Sequence, residues 1–308
     1  MSAPRILVTG SSGLIGRALI AALHARGYET KSLDLKAEEA LARGDIRDAD
    51  HVRQCVEGCD GIVQLAAVSR VIAGERDPEL CWSTNVDGLN TVIQEAWSSP
   101  RHPWLIFASS REVYGQPAVL PVNEDCPVVP VNIYGRSKAE GERLIEEART
   151  KGMRACTIRL SNVFGCVADH ADRVIPAFAR AAATGAPLRV DGSNHTFDFT
   201  HITDVTSGIL ALAQLLMDGA APPAPIHFVS GVPTTLGELA EAAVAIAGSR
   251  SVIRQAPPRD FDVATFVGDG ARAKALLGWE PKMTLRAGLG RLIEDFRAEV
   301  GDMAALSS

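Results

Sequence analysis

Apolar positions along the chain change period again and again. Arg5-Ile6-Leu7-Val8 is a compact run of strand character. From Leu14 the apolar residues Leu14, Ile15, Ala18, Leu19, Ala22 and Leu23 recur at helical spacing until Gly27 stops the helix. The pattern predicts further strands over 29–35, 60–67, 104–108 and 155–160, separated by helical stretches such as Val86 to Trp97 and Ser137 to Ala148. Strands that are apolar on both faces and separated by helices imply a parallel sheet covered on both sides, the doubly wound α/β class. Beyond residue 165 prolines from Pro176 to Pro281 break the alternation into short elements. The expected organisation is a doubly wound sheet domain over 1–165, with further sheet strands from about 190–230, and a smaller lobe built mainly from 166–308. His227-Phe228-Val229 reads as one of those late strands.

Composition narrows the partners. The 308 residues are 46% hydrophobic and 22% charged, with a net charge of −6, which fits a globular chain with no basic surface for nucleic acid or anionic lipid. The expected ligand is a small molecule. No apolar run approaches the ~20 residues that span a bilayer, and no cleavable leader is seen at the start. The cysteines Cys55, Cys59, Cys81, Cys126, Cys156 and Cys166 form no C-x-x-C pair, so they read as reduced thiols of a cytoplasmic protein, with no metal site. His195 and His201 read as solvated or core-edge residues rather than ligands.

Candidate chemistry begins at Thr9-Gly10-Ser11-Ser12-Gly13-Leu14-Ile15-Gly16, between the first strand and the first helix. Gly10 suits a tight exit, Gly13 lets backbone approach a pyrophosphate, and Gly16 lets helix lie close to strand. The helix N-terminus then offers N–H groups to phosphates. Asp34, ending the second strand, suits the adenosine ribose diol and repels a 2′-phosphate, which favours NAD over NADP, although Lys36 stands nearby. Further on, Tyr134 and Lys138 are one helical turn apart, a rotation of ~40°, so phenol and ammonium share a face. The ammonium favours phenolate, which makes Tyr134 a candidate general base. Ser109 and Ser110 sit where the fourth strand ends, the edge at which open α/β sheets bind ligands.

The glycine loop, Asp34, Gly44-Asp45-Ile46-Arg47-Asp48, Leu65-Ala66-Ala67, Asn85, Ser109-Ser110-Arg111-Glu112-Val113-Tyr114-Gly115, Tyr134-x-x-x-Lys138 and Arg159-Leu160-Ser161-Asn162-Val163-Phe164-Gly165 occur in this order. Together they resemble the extended short-chain dehydrogenase/reductase superfamily, and within it the NAD-dependent nucleotide-sugar epimerase/dehydratase family. The resemblance implies a Rossmann-type doubly wound sheet with a smaller C-terminal substrate-binding lobe. It makes Ser110, Tyr134 and Lys138 catalytic: Ser110 polarises the substrate oxygen, Tyr134 is the acid/base, and Lys138 holds the nicotinamide ribose. It places Asp45 and Ile46 at the adenine and Leu65, Ala66 and Ala67 along the cofactor channel. It counts Asn85, Ser109, Ser161 and Val163 with the cofactor residues. Glu112, Asn162, Arg173 and Arg259 are the implied substrate contacts.

Two departures stand out. Dehydratases of this family carry adjacent Asp-Glu before Val-Tyr-Gly, where this chain has Arg111-Glu112. An Arg usual in the substrate lobe is replaced by Phe197. The expected activity is therefore a nucleotide-sugar 4-epimerase that oxidises carbon 4 transiently. A dehydratase, a one-way sugar dehydrogenase or reductase, and a non-catalytic NAD(H) sensor are the alternatives. The resemblance also implies a homodimer packed through the helices around 84–97 and 134–148; the stripe of Leu89, Val92, Ile93, Ala96 and Trp97 suits a partner.

Overall fold

The computed structural model describes residues 3–258 and 263–306. The first half of the chain runs β1 (Arg5–Thr9), α1 (Leu14–His24), β2 (Glu29–Leu33), α2 (Ala49–Val56), β3 (Gly61–Gln64), α3 (Val71–Arg76), α4 (Pro78–Trp82), α5 (Gly88–Ser98), β4 (Trp104–Ser110) and α6 (Ile133–Thr150). There follow β5 (Ala155–Leu160), β6 (Asn162–Phe164), α7 (Val174–Thr184), β7 (Leu188–Asp191), β8 (Thr196–Phe197), β9 (Phe199–His201) and α8 (Ile202–Met217). The chain continues through β10 (Ile226–Phe228), β11 (Thr234–Thr235), α9 (Leu236–Ala247), β12 (Ile253–Ala256), β13 (Thr265–Phe266), α10 (Ala271–Leu277) and α11 (Leu285–Leu306).

Six strands form one parallel sheet in the order β10-β5-β4-β3-β1-β2. The chain leaves β1 toward β2 and returns across it to β3, so the winding direction reverses between β1 and β3. That reversal opens a crevice at the carboxyl ends of the strands, where ligands of such sheets bind. The period-2 pattern explains the two covered faces. Ile6, Val8 and Ile106 point toward α1 and α8, packing with Leu19, Leu23 and Ile209. Leu7, Ile62, Leu105 and Phe107 point the other way, toward Val52, Leu89, Val92 and Ile145 of α2, α5 and α6. A third apolar body gathers α7, α9 and α11 around Phe178, Leu239 and Phe296. Within 190–230 the segment that joins the main sheet is β10; β7, β8 and β9 pair in separate small sheets.

Element ends differ from the pattern where side chains capture the backbone. β2 stops at Leu33 because the Asp34 carboxylate accepts from the N–H groups of Ser12 (3.0 Å) and Lys36 (2.7 Å). The run predicted over 60–67 pairs only to Gln64, since Leu65 and Ala66 donate to Thr9 Oγ1, both at 3.2 Å. The helix predicted from Val86 enters through a π turn over Ser83–Asp87. α6 starts earlier than its apolar pattern suggests, because Asn132 caps it by accepting from the Gly135 N–H at 2.7 Å.

Candidate active site

The glycine loop is held tight under the start of α1. Gly10 has φ of +66°, and a Cβ there would lie 2.7 Å from the Ala66 nitrogen. A Cβ on Gly16 would lie 2.3 Å from the Gly10 carbonyl oxygen. Both contacts are with backbone, so only glycine permits this approach of turn, helix and β3 loop. Beside the loop lies a cavity of about 310 Å³ lined by Ser12, Gly13, Leu14, Arg17, Gly165 and Cys166. The larger cavity, about 410 Å³, continues along the carboxyl edge of the sheet and falls in the range of ligand pockets. It brings together the predicted residues Ile15, Leu65, Ala67, Ser109, Ser110, Glu112, Tyr134, Lys138, Ser161, Asn162, Val163 and Arg173.

Tyr134 and Lys138 enter this cavity from the first turn and a half of α6, and both are buried. Lys138 Nζ donates to the Ala108 carbonyl at 2.7 Å and stands 5.9 Å from the centre of the Tyr134 ring, so ammonium and phenol share one compartment. Tyr134 and Ser110 line the same cavity. Burial pushes the Tyr134 phenol up to about 12, against the influence of Ser110 and of the charge of Arg173, which pull it down. Burial also pushes Lys138 down to about 8. In the protein without its cofactor, loss of hydration dominates both groups. The Ser109 hydroxyl is buried without a hydrogen-bond partner among the described residues.

Several predicted residues serve from outside the cavity. Asp34 ties the β2 end to the glycine loop through Ser12. Asn85 is buried with its amide committed inward: it accepts from the Val68 N–H at 2.8 Å and donates to Ser137 Oγ at 2.9 Å, so it holds the β3 loop as a channel wall. Ile46 is buried against Gly88, while Asp45 is clasped by Arg47, whose hydrogen bonds hold its carboxyl below the ordinary range. Arg159 of the Arg159–Gly165 motif lies beneath the site. It makes a bidentate pair with Glu142 (2.9 and 2.7 Å) and donates to Tyr114 Oη at 2.6 Å, fixing the Val-Tyr-Gly turn to α6. Ser161 bonds Thr200 Oγ1 at 2.9 Å, and Arg173 faces Asp169 at 3.6 Å. Arg259 lies outside the described residues.

Residues outside the predicted site set also line the cavity. Arg111 lies over the Phe197 ring, 4.4 Å from its centre, and pairs with Glu112 at 2.9 Å. Arg70 pairs with Asp172 across the cavity mouth. His195 joins the lining edge-on to Phe197, while His201 caps α8 from a buried position. The signal for Arg111 was present as the odd residue of its motif; the others depend on contacts between distant segments. Among the described residues no group of His, Cys, Asp or Glu could hold a metal ion, and no helix is long and apolar enough to cross a membrane.

A doubly wound sheet with a glycine-tight β1–α1 turn and a Ser-Tyr-Lys set at its carboxyl edge defines a dinucleotide-dependent enzyme of the extended short-chain dehydrogenase/reductase type. Residues 6–225 match the NAD dependent epimerase/dehydratase family, and the chain belongs to it. The UDP-glucose 4-epimerase of Lacticaseibacillus casei is 30% identical over 305 residues, covering 90% of this chain and 91% of that one. The crystal structure of the Thermus thermophilus UDP-glucose 4-epimerase with NAD superposes at a TM-score of 0.85, with 25% identity over 95% of this chain and 99% of the other. DesIV, a dTDP-glucose 4,6-dehydratase from Streptomyces venezuelae bound to NAD and TYD, also gives 0.85, with 28% identity over 96% and 98%. The cofactor is NAD. The glycine cradle, the free N–H groups of α1 and the cavity edge along Leu65 and Ala67 fit it.

Proposed function

We propose that this enzyme is a nucleotide-sugar 4-epimerase. The observation that carries the reading is the convergence of Ser110, Tyr134 and Lys138 on one cavity wall, with Arg111 in place of a second acid beside Glu112. NAD, when bound, supplies a reversible two-electron oxidation at carbon 4 and, through its cationic ring, a pull on the Tyr134 proton. Ser110 holds the carbon-4 oxygen by a hydrogen bond. Tyr134 takes the hydroxyl proton as the ketone forms and gives it back when the ketone is reduced from the opposite face, so one group serves as base and then acid. Lys138, fixed on the Ala108 carbonyl, keeps a donor beside the phenol throughout.

Dehydration needs an acid to protonate the departing hydroxyl. Glu112 is engaged on both oxygens, with Arg111 at 2.9 Å and Asn132 Nδ2 at 2.8 Å, which disfavours that role. The test is a thermal-shift screen of UDP-, dTDP-, GDP- and CDP-sugars with NAD, followed by product analysis on the hits. An epimerase returns the carbon-4 epimer at unchanged mass without net reduced cofactor. An 18 Da loss identifies a dehydratase, and stoichiometric reduced cofactor a dehydrogenase; either overturns the proposal. Tyr134→Phe is expected to lower turnover at least ~100-fold while NAD still binds.

A further inference from the structure

A polar chain that the reaction steps do not use runs beneath the cavity through Arg159, Tyr114 and His227, all of them buried. Arg159 has donors only, so its bond of 2.6 Å to the Tyr114 hydroxyl makes that oxygen an acceptor. The Tyr114 proton then goes to the other partner of the hydroxyl, His227 Nε2, at 2.6 Å. His227 Nδ1 lies 3.1 Å from the Asp269 carbonyl, which can only accept, so Nδ1 carries the ring proton and Nε2 is free to accept. Each link thus has one direction. Burial pushes His227 down to about 4, which keeps the ring neutral as this order of donors requires. The Tyr114 ring is also stacked on Phe266, with centres 5.8 Å apart.

Tyr114 closes the short turn Arg111–Tyr114 that Ser110 opens. The Ser110 hydroxyl caps that turn by accepting from the Glu112 N–H at 3.2 Å. A hydroxyl whose oxygen accepts one bond still has its proton to give, and Ser110 lines the cavity that holds Tyr134. The setting of this turn therefore decides where the Ser110 proton points. We infer that Tyr114 and His227 are positioning residues: by tying the end of the turn to β10 and to Asp269 before α10, they hold the Ser110 hydroxyl as a donor toward the reacting oxygen. The inference rests on the reaction proposed above, in which Ser110 holds that oxygen.

The test compares steady-state rates of the NAD-loaded full chain, wild type against Tyr114→Phe, His227→Gln and His227→Leu, each with and without Ser110→Ala. The substrate is UDP-glucose, or the first of its dTDP, GDP and CDP counterparts that turns over. Tyr114→Phe leaves Arg159 Nη1 its bond of 2.7 Å to the Glu124 carbonyl, so no cation is stranded. It is expected to lower kcat about 10-fold with KM within about twofold, and His227→Leu to match it. Glutamine keeps an acceptor for the Tyr114 hydroxyl, so His227→Gln should stay within about threefold of wild type. In the Ser110→Ala background Tyr114→Phe should cost nothing further, because it acts through the missing hydroxyl. A kcat within about twofold of wild type in Tyr114→Phe or His227→Leu, whichever folds, overturns the inference. So does a loss that repeats in full without the Ser110 hydroxyl. If wild type turns over none of these sugars, the nucleotide-sugar reading fails, and deuterium uptake of the NAD-loaded protein decides the positioning by itself. Uptake across 109–115 about 10-fold faster in Tyr114→Phe, with α2 unchanged, upholds it. Uptake unchanged across 109–115, or raised equally in α2, overturns it.

Discussion

Lys138 offers the sharpest test of the site's electrostatics. It is buried, and its ammonium has the Ala108 carbonyl as its hydrogen-bond acceptor at 2.7 Å, so burial lowers its pKa from 10.5 to about 8. A folded-state value below the unfolded one means that the folded chain resists protonation. The penalty is fully present below the folded pKa and is relieved as pH rises toward the unfolded value. With 1.36 kcal/mol for each tenfold change, the fall from 10.5 to about 8 corresponds to about 3 kcal/mol at pH 7, shrinking to below about 1 kcal/mol at pH 10. Lys138→Met removes the charge and retains the stem's bulk. In urea unfolding of NAD-free protein, the stability of the variant relative to wild type should therefore fall by about 2–3 kcal/mol between pH 7 and pH 10. The absolute difference at either pH also contains the lost bond to Ala108, worth about 1 kcal/mol, so the change with pH is the discriminating quantity. A stability gap that stays constant across this range refutes the argument, because it means that Lys138 keeps its ordinary pKa in the fold.

Other outcomes follow from the same geometry. Glu142→Gln strips the buried Arg159 of its bidentate partner and should destabilise the fold by about 3 kcal/mol or more, read as a lower urea midpoint at an unchanged slope. Gly16→Ala drives a methyl to 2.3 Å from the Gly10 carbonyl; NAD affinity measured by calorimetry should drop more than ~10-fold, and an unchanged value would mean that the turn is not the pyrophosphate cradle. Of the stripe read as suited to a partner, Leu89, Val92 and Ala96 are buried in the chain's own core with Ile93 packed against them. That corrects the expectation and leaves Trp97 of α5, 45% exposed, and Trp82 of α4, 41% exposed; we propose a homodimer through α5 and α6 on that surface. Sedimentation at micromolar concentration should find twice the 32.7 kDa chain mass, and a species at the single-chain mass contradicts it.

Much of the cofactor end was legible in order of sequence because its parts are local. Hydrophobic period marks β1 and α1, glycine spacing marks the turn between them, and Tyr134 and Lys138 are joined by a single helical turn. Element ends were less legible. Asp34, Thr9 and Asn132 end or begin elements by capturing N–H groups with side chains, which apolar periodicity does not register. The burial of the phenol was illegible in the sequence for a related reason. Spacing reveals a neighbouring charge, whereas the burial that outweighs it is a property of the assembled cavity.

The linear chain alone therefore determined the doubly wound class through its repeated alternation of strand and helix periods, and the dinucleotide loop and the Tyr134 and Lys138 pair through spacing within one or two consecutive elements. Tertiary packing decided which residues meet at the cavity and beneath it. Arg111 meets Phe197, Arg70 meets Asp172 and Arg159 meets Glu142 only after separate segments close over the sheet edge. The energies of those pairs depend on distance and desolvation in space, and neither quantity is written in sequence separation.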